Sequence, residues 1–119
     1  MRLTLLTLCL VMVLALTAYA VAEMAVDIQV APATIVLKAP CQWVTVHADI
    51  AYGTVDPESV EINGLEADRV FADDCGNLVA KVDFTSAIEG MTPPAAQIIL
   101  TGVTKDGEAF SGSSFVRVK

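Results

Sequence analysis

Between Trp43 and Ile50 the chain alternates without interruption: Val44, Val46, Ala48 and Ile50 fall on one side, Trp43, Thr45, His47 and Asp49 on the other. A strand sends successive side chains to opposite faces, so this spacing describes a half-buried strand with its apolar side turned inward. Leu78, Ala80, Val82 and Phe84 repeat the pattern, with Val79, Lys81 and Asp83 opposite. Neither run carries the three-and-four spacing of a helix.

Shorter β-branched runs surround these two. They cover Val26 to Val30, Thr34 to Lys38, Pro57 to Ile62, Leu65 to Phe71, Gln97 to Thr104 and Ala109 to Val118. Asn63-Gly64 suits a two-residue hairpin turn, because both central positions need positive φ. Asp106-Gly107 closes the last two runs into a hairpin, and Gly112 weakens the apolar phase there, so a bulge is expected at that residue. Thr85 to Gly90 is expected to form one helical turn capped by Thr85 or Ser86. Met91-Thr92-Pro93-Pro94 is a loop, since proline cannot join a central strand. Seven or eight short antiparallel strands at this spacing predict an all-β, immunoglobulin-like two-sheet sandwich, with a small closed barrel as the competing closure.

The first 22 residues stand apart from that pattern. Met1-Arg2 gives a positive start, Leu3 to Leu16 is almost entirely apolar, and Ala18-Tyr19-Ala20 and Ala20-Val21-Ala22 offer small-x-small cleavage sites. This is the form of a Sec-type signal peptide, too short to span a bilayer comfortably. Residues 1–22 are therefore expected to be removed, leaving 23–119 as one secreted or periplasmic domain. Of the three cysteines, Cys9 leaves with the leader. Cys41 and Cys75 remain as an even pair in an exported chain, and a disulfide between them is expected. Without Arg2 the charge balance is 6 − 14 = −8. That excess argues against nucleic acid or an anionic membrane surface as partner, because both need a cationic face.

Three blocks carry a resemblance. The first is Pro32-Ala33-Thr34-Ile35, Leu37-Lys38 and Trp43-Val44-Thr45-Val46; the second is Val60, Ile62-Asn63-Gly64 and Asn77 to Phe84. Leu100-Thr101-Gly102, Asp106-Gly107, Phe110, Gly112-Ser113 and Val116-Arg117-Val118 form the third. In order and spacing the chain resembles the Ig-like sandwich domain of exported and surface proteins of bacteria and archaea, an accessory module beside larger functional domains. The resemblance covers nearly all of 23–119 and implies no catalytic residues. Two departures stand out: Asp73-Asp74-Cys75-Gly76-Asn77 is shorter than the acidic loop common there, and Cys41 replaces a small or basic residue.

Site chemistry is sparse. His47 is the only histidine and falls on the outward side of its strand. Ser111, Ser113 and Ser114 lack the G-x-S-x-G surroundings of a nucleophile elbow. No catalytic residue is assigned and no enzyme is expected. Asp73, Asp74 and Asn77 offer oxygen ligands at a turn, enough for a weak calcium site with backbone carbonyls and water, though the same residues favour turns on their own account. Trp43, Tyr52 and Phe115 are expected off the core face or at a strand end, where aromatic rings contact protein or polysaccharide partners. The expected function is a non-catalytic binding or structural module. Two alternatives compete with it: an inhibitor presenting Glu89 to Pro94 to an extracellular or periplasmic enzyme, and a weak calcium-binding adhesive module. The oligomeric state is left open.

Overall fold

The computed structural model describes residues 23–39, 42–84 and 91–119. The leader, Cys41 and the expected helical turn at Thr85 to Gly90 lie outside the described residues. In chain order the strands are β1 (Met24–Ala25), β2 (Ile28–Ala31), β3 (Thr34–Ile35), β4 (Trp43–Ala51), β5 (Glu61–Ile62), β6 (Leu65–Glu66), β7 (Arg69–Ala72), β8 (Asn77–Asp83), β9 (Ala95–Val103) and β10 (Ala109–Val118). Short 3-10 turns occupy Tyr52–Thr54 and Pro57–Ser59. The strands form two sheets. One runs β1–β10–β9–β5–β6 with β3 also paired to β10; the other runs β2–β4–β8–β7.

The alternating faces meet as the sequence predicts. Val44, Val46, Leu78 and Ala80 of the β4 sheet belong to one cluster with Ile62, Ile98, Leu100 and Phe110 of the β10 sheet, and all eight are fully buried. Each large aliphatic or aromatic side chain so buried contributes roughly 1.5–3 kcal/mol. Both hairpin turns have the expected chemistry: Asn63 and Gly64 take φ of 51° and 80°, and Gly107 takes 86°. Asn63 adds a double clasp, its Oδ1 accepting from Ile99 N (2.6 Å) and its Nδ2 donating to Gln97 O (3.1 Å).

Four expectations need correction. The strands are not seven or eight and not all antiparallel: ten occur among the described residues, and β1 and β3 both pair parallel to β10. Leu65 to Phe71 is not one strand, because β6 and β7 belong to different sheets. The chain crosses at Ala67-Asp68: Ala67 N donates back to Val60 O and Asp68 N to Lys81 O. The core-facing phase slips there from Leu65 and Ala67 to Val70. Pro57 to Ile62 is a 3-10 turn followed by a two-residue strand, with Asp56 capping the turn by accepting from Glu58 N (3.1 Å). Gly112 marks no bulge, since β9 and β10 stay in unbroken register from Ala109↔Val103 to Arg117↔Ala95. It lies under the incoming chain instead: a Cβ there would sit 2.4 Å from Val26 O. The register shift of this fold is in β4, between His47 and Ala51.

The expected Cys41–Cys75 bridge rests on Cys41, which lies outside the described residues. Trp43 pairs with Asp83, Gln42 O accepts from Phe84 N (2.7 Å), and Ala51 pairs with Asn77. Gln42 and Cys75 therefore sit at opposite ends of the β4–β8 ladder. The seven residues of β8 separate them by roughly 20 Å at about 3.3 Å per residue. The Cys75 thiol is exposed and unpaired, and no disulfide occurs among the described residues.

Candidate functional site

The acidic turn between β7 and β8 is built around its first aspartate. Asp73 Oδ1 accepts from Cys75 N (2.8 Å) and Asn77 N (2.9 Å), while Asp73 N donates to Asn77 O (2.9 Å). Gly76 completes the turn at φ 81°. The carboxylate expected to hold calcium is thus engaged by its own turn, Asp74 is exposed, and Asn77 enters β8. A shallow groove on the outer face of the β4 sheet brings Asp73 and Asn77 beside Asp27, Gln29, His47 and Asp49. Among the described residues no three His, Cys, Asp or Glu side chains converge in a way that could hold a metal ion.

His47 is exposed on that same face, with Gln29 and Val79 on its flanking strands. Ser111, Ser113 and Ser114 lie on β10, in the other sheet. Packed sheets stand about 10 Å apart, well beyond hydrogen-bond reach. The histidine and these serines are not brought together.

The three aromatic candidates separate. Trp43 begins β4 opposite Asp83 and is 47 % exposed on the outer face of the β4 sheet. Tyr52 sits at the far end of that strand, half-buried and packed on the core, so its ring has a structural place. Phe115 lies on the other sheet, opposite Gln97 on β9, and is 72 % exposed. Ile99, on the same outward phase, is 39 % exposed.

A fourth aromatic escaped the sequence reading. Phe71 is half-buried on the outer face of the β4 sheet, with Arg69 Cζ at 5.7 Å and Lys81 Nζ at 5.8 Å from its ring centre. Cations at this distance are held by the ring's negative face, at about 0.5–1 kcal/mol each when exposed. Arg69 and Lys81 are directly opposite across β7 and β8, as are Phe71 and Val79. Val79 is only 1 % exposed although it lies on the outer face. The grouping depends on the β7–β8 register; the sequence signal is no more than an Arg-x-Phe and a distant lysine.

Charge is unevenly spread along the strand axis, although Asp68 and Asp83 lie toward the Trp43 end and Lys105 at the opposite one. The turns at one end carry Glu23, Asp56, Glu58, Asp74, Asp106 and Glu108, whereas Lys38, Arg117 and Lys119 lie at the other. No helix among the described residues is long and apolar enough to cross a membrane. Comparison with protein-family models, with characterised proteins and with solved structures returned no match.

Proposed function

We propose that this chain is an exported, non-catalytic module of immunoglobulin-like type that works by presenting surface to a protein or polysaccharide partner. The strand order supports the architecture. A sheet β2–β4–β8–β7 facing a sheet in which β9 joins β5 to β10, with the first strand segments divided between the two, follows the arrangement of immunoglobulin-like sandwiches. The sequence blocks that resemble accessory domains of bacterial and archaeal surface proteins support the same reading. The apolar leader with its small-residue cleavage sites supports export.

One observation carries the binding role: the contrast between inside and outside. Interior side chains from both sheets are fully buried, yet Trp43 and Phe115 are left 47 % and 72 % exposed on opposite outer faces. Aromatic rings held on a rigid sheet lose little entropy on docking and dominate contact energies. The acidic turn supports calcium adhesion less well, because its first carboxylate is already engaged.

Cell fractionation tests the reading. The protein is expected outside the cytoplasmic membrane, beginning after Ala20 or Ala22 by intact mass, and retained by an envelope protein or wall polysaccharide. Trp43→Ala should weaken that retention about tenfold or more, in line with an aromatic anchor, without lowering the melting temperature. A cytoplasmic chain with its first residues intact overturns export. Retention unaffected by Trp43→Ala removes that face from the binding role.

A further inference from the structure

We infer that the outer face of the β4 sheet binds an acidic polysaccharide, stacking an uncharged sugar ring on Trp43 and holding a carboxylate between Arg69 and Lys81. This rests on the binding role proposed above and names its ligand.

The register builds the face rung by rung. Trp43 stands opposite Asp83, Thr45 opposite Lys81, and Lys81 in turn opposite Arg69. His47, Val79 and Phe71 form the next rung. Arg69 and Lys81 thus carry like charges directly across a strand pair, an arrangement that costs stability. Nothing in the pairing of β7 with β8 calls for it, in a chain with 14 acidic and 7 basic side chains. Phe71, opposite the buried Val79, draws both cations to one spot, at 5.7 and 5.8 Å from its ring centre. Cations already gathered lose less freedom when a carboxylate bridges them, and both offer it charge-assisted hydrogen bonds. Trp43, 47 % exposed, is the diagonal neighbour of Lys81, at about 7–8 Å between Cα atoms.

Charge and polarity select the ligand. Acid flanks the cation pair on the same face, with Asp83 across from Trp43 and Asp49 beyond His47. Asp68, beside Arg69, is turned to the backbone, its Oδ2 accepting from Asp83 N (2.8 Å). A carboxylate is therefore favoured only over Arg69 and Lys81, and the ring on Trp43 must be uncharged. Nucleic acid, charged at every nucleotide, would press a phosphate onto Asp83. Acidic groups at the far end of the strands matter less, since charges more than about 10 Å apart are largely screened at about 0.1 M salt. The anchor of a protein interface needs surroundings that exclude water, whereas Trp43 has Asp83, Thr45 and Lys81 around it. A sugar chain supplies apolar ring faces for the indole and hydroxyls for those polar neighbours. Reaching from Trp43 to the cation pair takes more than one ring.

Trp43 is the only tryptophan in the chain, so its fluorescence reports contact at this face. The test is titration of the purified protein, at about 0.1 M salt, with a hyaluronan hexasaccharide, in which carboxylated and uncharged sugars alternate. A saturable change in emission is expected. The dissociation constant should rise about tenfold for the carboxyl-reduced hexasaccharide and for Arg69→Gln, as for the loss of one charge-assisted contact. Arg69→Lys, which keeps the charge, should lose less, and both variants should melt with the parent because Arg69 is exposed. Equal affinity for the two hexasaccharides, or a dissociation constant indifferent to Arg69→Gln, overturns the carboxylate site and leaves the binding role of Trp43 standing. Tighter binding of a single-stranded DNA oligomer overturns the polysaccharide. So does the absence of hexasaccharide binding in a protein whose envelope retention still depends on Trp43, which would point to a protein partner. Failure of the binding role itself reads differently, because retention would then be indifferent to Trp43→Ala.

Discussion

Gly112 shows how one residue can hold two layers of the fold together. A methyl group there would lie 2.4 Å from Val26 O and 2.8 Å from Ile28 Cγ2. The first obstacle is backbone and cannot rotate away, and Val26 N already donates to Ser111 O (2.9 Å), fixing the chain across this spot. Gly112→Ala should destabilise by about 1–3 kcal/mol, the usual cost of forcing volume into a packed site. Gly53 provides the control, since nothing lies within 4 Å of its would-be Cβ. Gly53→Ala should be neutral or stabilising by up to about 1 kcal/mol through the unfolded chain. Paired urea melts measure both; equal effects would remove the close approach as the reason for glycine at 112. In the sequence such a glycine reads as a bulge, because both situations interrupt an apolar phase. Only the chain packed above it distinguishes them.

At the scale of elements, what could be read locally came through. The inward faces of β4 and β8 and the turn chemistry of Asn63-Gly64 and Asp106-Gly107 each reside in a few adjacent residues. What failed was non-local: the crossing at Ala67-Asp68 and the Phe71 cluster both depend on which strands pair and in what register. The cysteines give the sharpest test of that register. A bridge closing about 35 residues would stabilise by about 3 kcal/mol. The β4–β8 ladder puts Gln42 and Cys75 at its opposite ends, seven residues of β8 apart. Peptide mapping under non-reducing conditions should find no link between the two cysteines within a chain, and Cys75→Ser, at an exposed position, should change stability by less than about 0.5 kcal/mol, as for surface substitutions. A loss near 3 kcal/mol, or an intact intrachain link, would mean that β4 and β8 pair otherwise. The candidate site was legible only in part for the same reason. Trp43 and Phe115 were recognisable as outward-facing residues, but that they look out from opposite sheets is a property of topology.

Across the whole molecule the acidic excess is unevenly distributed, and that has a thermodynamic consequence. Glu23, Asp56, Glu58, Asp74, Asp106 and Glu108 gather on the turns at one end of the sandwich, and among the described residues Lys105 is the cation beside them, its N–H donating to Thr54 O (2.9 Å). These turns are held by hydrogen bonds that survive screening: Thr104 N donates to Glu108 O, and Thr104 Oγ1 accepts from Glu108 N. Repulsion among the exposed carboxylates works against them in the folded chain and relaxes when it unfolds. Salt should therefore stabilise this protein. Between about 10 mM and 0.1 M sodium chloride the screening length falls from about 30 Å to about 10 Å, below the span of the acidic end, and the melting temperature at micromolar protein should rise. Lys105→Glu should lower the melt at low salt, Glu108→Lys should raise it, and both differences should shrink at high salt. A melt indifferent to salt and to both substitutions would mean that the acidic end carries no net strain.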